Sequence, residues 1–317
     1  MEDWRPVADS SALRARATLL AEARAFFAAR AVLEVETPAL AQRTVTEPAV
    51  ESIAVDWQRE RWYLQTSPEY AMKRLLAAGV GDIFQICKVF RGGERGARHN
   101  PEFSMLEWYR RGVTFSNFID ENVALLQTLF NRDSAARHWT YRELLQSFTQ
   151  VDPFTANDGQ LIAALIRNGI DIENPAALPR AVVLDLLYDH ATKATTTGIH
   201  TVCDFPPAAA ALARIEQDAN GITVARRCEL IVDGVEVGNG YHELTDDVEQ
   251  RKRFAKDRAR RRAADQEDIA LDERLLAALA AGLPDCCGMA IGLDRVLMLR
   301  LGARHIDEVL AFPTERA

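Results

Sequence analysis

The run CELIVDGVEVGNG, residues 228–240, constrains the fold more than any other stretch of the chain. Asp233-Gly234 is a two-residue turn of the kind that closes hairpins, because both positions tolerate the positive φ such turns require. With that turn, Val232 pairs with Val235 and Ile231 with Glu236, which sets an antiparallel register. Leu230, Val232, Val235 and Val237 then share one uniformly apolar face, the packed side. Glu229 and Glu236 share the other face as diagonal neighbours. Two carboxylates so placed repel unless a cation lies between them. A hard divalent ion such as Mg2+ answers that need; two glutamates solvated on the open side of a hairpin answer it equally well.

The flanking sequence supplies further elements. Asp9 and Ser10 cap a helix whose Leu13, Leu20 and Phe27 recur every seven residues as one apolar stripe. VLEVETP reads as a short strand stopped by Pro38. A second helix has Ser67 as N-cap, Pro68 in its first turn and Gly79 past its end. Residues 81–90, GDIFQICKVF, form a buried strand, with residues 102–110 as its antiparallel neighbour. Residues 114–130 are helical, and Thr140 with Glu143 forms a capping box for the next helix. Two more helical patterns surround residues 161–166 and 182–190, with loops at Asp152-Pro153 and Asn174-Pro175. A basic helix covers residues 245–263, and another ends at Gly282. CCGMAIGLDRVLMLRLG passes from strand to helix near Asp294. No repeat or composition break marks a boundary. The order predicts a single α+β domain over residues 1–317, built on an antiparallel sheet flanked by helices, with a helical insert at about 130–200.

Composition narrows the functional classes. The chain has 317 residues and a net charge of −8, which argues against broad coating of nucleic acid. No apolar run reaches membrane-spanning length, and the first ten residues are too polar for a signal peptide. Five scattered cysteines without a CxxC pair suit reduced thiols in a cytoplasmic setting, with neither a disulfide framework nor zinc. Cys286 and Cys287 read as small fillers on opposite faces of a strand.

Three further segments carry polar groups in telling patterns. In FRGGERGARHNPEFSMLEWYR, residues 90–110, Phe103, Met105, Glu107 and Tyr109 share one parity, as do Gln85 and Arg91 on the preceding strand. A floor for an amphiphilic ligand explains this mixture, and so does an edge strand of mixed character. GNGYHEL brings Asn239 and Glu243 near the hairpin carboxylates, and its glycines 238 and 240 permit a tight turn or close approach to a ligand. Glu243 suits an ammonium group, or simply the surface. In GMAIGLDR, Gly288, Ala290 and Gly292 alternate along a strand and leave room on one face. Arg295 then opens a helix, where its charge opposes the helix dipole unless an anion is near. Residues 251–262 hold eight Lys or Arg. They form a solvated helix face or a dock for an acidic macromolecule.

Together these segments resemble the three motifs of the class II aminoacyl-tRNA synthetases. VLEVETP is similar to motif 1, FRGGERGARHNPEFSMLEWY to motif 2 and GMAIGLDR to motif 3. TSPEYAMKRL, RHNPEF and GNGYHELTD resemble the lysine-specific subtype. Motif 1 lies within the first forty residues, with no room expected for the OB-fold domain that reads the anticodon. That arrangement, Ala290 in place of the usual glycine, and the closing AFPTERA resemble the synthetase paralogues that attach (R)-β-lysine to a lysine of elongation factor P. The resemblance implies that Arg91 and Arg295 are catalytic. It places ATP against Arg91, Gly92, Gly93, Glu94, His99, Asn100, Phe103, Glu236, Val237, Gly292 and Arg295, with Phe103 stacked on adenine. It gives Mg2+ to Glu229 and Glu236, and the amino acid to Ser67, Pro68, Glu69, Tyr109, Asn239, Glu243 and Ala290. The family usually has a glutamate where Gly93 stands, with Glu94 next to it as a candidate replacement.

The implied reaction is activation of (R)-β-lysine or lysine by ATP as an adenylate, followed by transfer to a lysine amine of elongation factor P. A homodimer is implied, and tRNA is not expected as acceptor. Two rivals are a truncated lysyl-tRNA synthetase that charges tRNA, and a non-catalytic subunit that senses an amino acid.

Overall fold

The computed structural model describes residues 4–133 and 135–317. In chain order they form α1 (Ser10–Ala28), β1 (Leu33–Glu34), β2 (Leu40–Ala41), β3 (Ala54–Trp57), β4 (Glu60–Leu64), α2 (Glu69–Ala77), β5 (Ile83–Phe90), β6 (Glu102–Arg111) and α3 (Phe115–Phe130). Then come β7 (Arg137–Thr140), α4 (Tyr141–Thr149), α5 (Asp158–Arg167), α6 (Arg180–Lys193), β8 (Ile199–Phe205), β9 (Ile215–Gln217), β10 (Thr223–Val232) and β11 (Val235–His242). The last elements are α7 (Asp247–Ala263), α8 (Glu273–Gly282), β12 (Cys286–Gly292) and α9 (Leu293–Leu301). They fall into two compact units. The first takes the described residues up to Thr114, Thr128–Asn131 and Leu244–Ala317; the second takes Phe115–Gln127 and those of Arg132–Glu243.

The first unit holds strands in the order β1-β5-β6-β12. β1 runs parallel to β5, and the other pairs are antiparallel. One face is apolar, with Phe84, Trp108 and Met289 in line across three strands. Phe27 of α1 stacks on Phe84 at 4.6 Å and lies 5.4 Å from Trp108. Burying rings of this size contributes about 2–3 kcal/mol each. The expected seven-residue stripe on α1 is displaced by one position. Ala12, Leu19, Ala23, Phe26 and Phe27 are buried, and Leu13 is 36% exposed. Ala12, Leu19 and Phe26 keep the same seven-residue spacing, so the period holds and the packing partner of the helix selects the adjacent row.

Local signals hold at most helix ends. Asp9 caps α1, its Oδ1 accepting from the Ala12 N–H at 2.8 Å, and Ser10 is already helical. Pro68, not Ser67, stands at the N-cap of α2, yet the Ser67 hydroxyl still accepts from the Glu69 N–H at 3.1 Å. The motif-1 strand is only two residues long, although the Val35 N–H continues the pattern to the Phe84 carbonyl. The three strands β2-β4-β3 form a small separate sheet of this unit.

The second unit holds strands in the order β11-β10-β8-β7, with β9 on β10. Helices α4, α5 and α6 supply its core with Tyr141, Leu144, Leu161 and Leu187, against Trp139, Val202, Phe205 and Ile231 of the strands. The Thr140–Glu143 capping box is present, and Asn157 with Gln160 makes a second one on α5. Two of the three described α-helices of the expected insert therefore start where their capping residues stand, and α6 starts after Pro179 without a side-chain cap.

The hairpin register is as the turn dictates: Val232 opposite Val235 and Ile231 opposite Glu236. Beyond it lies a bulge, so Leu230 faces Gly238 and Glu229 faces Asn239. Gly238 and Gly240 make no turn; both continue β11 as an extended strand, opposite Leu230 and Cys228. The basic helix α7 is largely neutralised within the first unit. Arg251 pairs with Glu273, Arg253 with Glu249, and Arg258 and Arg262 with Asp268.

Candidate active site

On the open face of the first unit's sheet, the strand registers align Gln85 with Glu107 and Ala290, and Tyr109 with Gly288. The small residues of β12 thus stand beside Glu107 and Tyr109 of β6. Ala290 and its glycine neighbours leave space above that floor.

Glu107 is the centre of the floor and is 2% exposed. The Ser67 hydroxyl donates to its Oε2 at 2.6 Å, and the Tyr109 hydroxyl to its Oε1 at 2.7 Å. Burial, followed by the charge of Glu69, pushes the Glu107 carboxyl up to about 7 against these two donors and Lys73. Glu69, on the first turn of α2, accepts from Lys73 Nζ at 2.6 Å. Lys73 thus pairs with Glu69 and its charge also acts on Glu107, an acidic setting that suits a further cation.

Arg91 directly follows β5, and its N–H donates to the Pro101 carbonyl at 2.8 Å. Its guanidinium lies 5.3 Å from the centre of the half-buried Phe103 ring and reaches the Thr66 carbonyl at 3.4 Å. A cation and an exposed aromatic face side by side suit a nucleotide, whose base stacks and whose phosphates need positive charge. His99 accepts at Nε2 from the Arg295 guanidinium. Burial and then that arginine hold the imidazole below the usual histidine range. Arg295 sits in the first turn of α9; the preceding Asp294 pairs with Arg16 and accepts from the Ser104 N–H at 2.6 Å.

The loop between β5 and β6 is set by short-range crowding. Gly93 has φ +72°, and a Cβ there would lie 3.0 Å from Glu51 Oε2. A glutamate at that position would be strained on this backbone. Glu94 turns instead toward Arg91, at 3.7 Å. Gly92 is equally crowded, 3.0 Å from Glu51 Cδ for an added Cβ. Asn100 is buried and committed to structure: its Oδ1 accepts from both the N–H and the hydroxyl of Thr314, and its amide donates to the Glu102 carbonyl.

In the second unit, Glu229 is buried and Glu236 exposed on the same face of the hairpin. Arg227 pairs with Glu229 Oε1, and the Tyr188 hydroxyl donates to Oε2 at 2.7 Å. Arg227 also donates to Asn239 Oδ1 at 3.1 Å, and Asn239 donates to the Tyr241 hydroxyl at 2.8 Å. The cation that offsets the carboxylates is therefore partly built in as Arg227, whose own charge Glu229 reinforces. Each Glu229 oxygen retains a second lone pair beside its donor, and Glu236 presents a carboxylate to solvent, so the oxygen donor set fits Mg2+. Glu243, just past β11, is 1% exposed, so it is no surface residue.

A profile of the tRNA synthetases class II (D, K and N) matches residues 3–316. The chain belongs to the class II tRNA synthetase family. Among its relatives is a protein named elongation factor P–(R)-β-lysine ligase from Haemophilus ducreyi, 41% identical, with 99% of this chain and 97% of that protein covered. Ligases of the same name from Salmonella paratyphi B and Klebsiella pneumoniae are each 42% identical, with 99% of this chain and 98% of theirs covered.

As a class II synthetase fold, the first unit gathers Ser67, Glu69, Tyr109 and Ala290 about Glu107, and Arg91 with Phe103 beside them. Sequence reasoning passed over Lys73, Arg227, Tyr188 and Tyr241. Lys73 had one available signal, its i,i+4 spacing from Glu69. Tyr188 had none, because it lies 41 residues from Glu229 and meets it only through folding.

Proposed function

We propose that this chain is an ATP-dependent ligase that activates (R)-β-lysine, or lysine, as an adenylate and transfers it to a lysine side chain of elongation factor P. The observation that carries the reading is the Glu69–Glu107 carboxylate pair set beside the Arg91–Phe103 shelf: one suits the ammonium of a lysine-like amino acid, the other a nucleotide. The relatives' common name supports the choice of acceptor.

Ser67, Pro68, Glu69, Tyr109 and Ala290, with Asn239 and Glu243, hold the amino acid, its amino groups meeting carboxylates. Phe103 stacks on adenine, with Asn100 bracing the loop beneath and Glu94 in place of the absent glutamate. Gly92, Gly93, Val237 and Gly292 border the nucleotide, where missing side chains or main-chain edges allow close approach. Arg91 orients the substrate carboxylate against the α-phosphate; an oxygen of that carboxylate attacks phosphorus and the bond to pyrophosphate breaks. Arg295, with His99, draws charge from the departing phosphates. Glu229 and Glu236 would hold Mg2+, which neutralises phosphate charge when bound. The acceptor amine then attacks the acyl carbon, an amide forms and AMP leaves. No protein nucleophile is required. The cycle runs in a cytoplasmic homodimer, and tRNA is not the acceptor.

Pyrophosphate exchange with ATP, Mg2+ and (R)-β-lysine tests activation, and the mass of elongation factor P after incubation tests transfer. Exchange and a mass gain of one acyl group are expected, and Glu236→Gln abolishes both. Charging of lysine tRNA in place of the protein would favour a truncated synthetase. Amino-acid binding without exchange would favour a sensor.

A further inference from the structure

Among the described residues Lys73 is the buried lysine, 2% exposed, beside the amino-acid floor. A lysine is rarely buried unless paired, and its partner here is Glu69, four residues earlier on α2. On an exposed helix face such a pair contributes a few tenths of a kcal/mol. Burial changes its meaning, because neither charge can be recovered by water.

We propose that Lys73 is a positioning residue for amino-acid recognition: it fixes the Glu69 carboxylate and serves as resident counter-cation of the Glu69–Glu107 pair, so that a substrate ammonium enters as the second cation of the cluster. This rests on the amino-acid role proposed above for that floor.

The charges around Glu107 account for the linkage. Ser67 and Tyr109 donate to it but carry no charge. From α2 come Glu69 and Lys73, whose charges act on Glu107 in opposite senses. From β5 come Gln85, opposite it in register, and Cys87, whose thiol is pushed up to about 12 by burial and stays neutral. From β12 comes Ala290. With both carboxylates ionised the cluster bears one net negative charge, and in that buried place Glu107 takes up a proton near pH 7. A substrate ammonium makes the cluster neutral and favours the ionised form. The sign follows: below pH 7 the amino acid must displace a proton, so its KM rises about tenfold per unit of falling pH; above pH 7 it levels off.

The test is the pH profile of the amino-acid KM, from pH 6 to 8.5, by pyrophosphate exchange with (R)-β-lysine or L-lysine. For Lys73→Met the expected result is a KM at least about tenfold higher and a midpoint moved upward by about one pH unit or more, with the ATP KM held. Lys73→Arg keeps the charge and restores the midpoint. A raised KM with the wild-type midpoint would overturn the proposal and leave Lys73 a packing residue. Should Lys73→Met not fold, calorimetry of amino-acid binding to the wild-type protein in buffers of different ionisation enthalpy decides. Proton release approaching one at pH 6 and vanishing by pH 8.5 is expected; binding at pH 6 without release overturns this inference alone. No binding of either amino acid would remove the ligase reading itself.

Discussion

Gly93 shows how one residue sets a loop. Its backbone lies at φ +72°, where an L side chain is strained by about 1–2 kcal/mol, and Glu51 occupies the space a Cβ would need. Restoring the family's glutamate by Gly93→Glu should therefore lower stability by at least about that amount and weaken ATP use. Urea denaturation with the ATP KM would check it; unchanged stability would mean the loop relaxes freely. The parity of Phe103, Glu107 and Tyr109 was readable in the sequence, because alternation follows from strand geometry alone. That Glu107 receives both Ser67 and Tyr109 was not, since Ser67 comes from 40 residues away.

At the scale of elements, turn and cap chemistry carried most of the legible information. The Asp233-Gly234 turn and the Thr140–Glu143 capping box stand where short-range rules put them, and the strand passes into helix at Leu293, next to the expected Asp294; the Asn157–Gln160 box follows the same chemistry but was passed over. Gly234 has φ +75°, and a Cβ there would sit 3.1 Å from the Lys193 carbonyl oxygen. Gly234→Ala should cost more than about 1 kcal/mol and disturb the β10–β11 hairpin; a thermal midpoint within experimental error of wild type would contradict this. The bulge beyond Ile231 left no trace in the sequence. A bulge depends on how two strands share their twist, which no single residue encodes. The displaced stripe on α1 has a similar cause: seven-residue spacing suggests a face, but the partner sheet selects which face is covered.

For the whole molecule, the basic run of α7 is the clearest case of sequence outrun by context. Arg258 and Arg262 meet Asp268, and Arg251 meets Glu273, all partly exposed. Arg261 is 6% exposed and donates to the carbonyls of Glu267 and Glu47. Arg258→Ala should then cost under about 1 kcal/mol, and Arg261→Ala about 1–3 kcal/mol by removing a buried guanidinium that ties two main-chain carbonyls together. Urea midpoints of the two variants give the ranking, and the reverse order would refute it. By itself the sequence determined the antiparallel hairpin, the helix starts, the apolar and polar parities and, through its three motifs, the family. These rest on interactions within a few residues, where dihedral preferences and period decide. Tertiary structure alone decided which charges meet: Lys73 and Glu69 sealed beside Glu107, Arg227 and Tyr188 on Glu229, Asp294 on the Ser104 N–H 190 residues away. The energy of a charge depends on burial and on neighbours brought in by long-range register, and neither is a property of the local sequence.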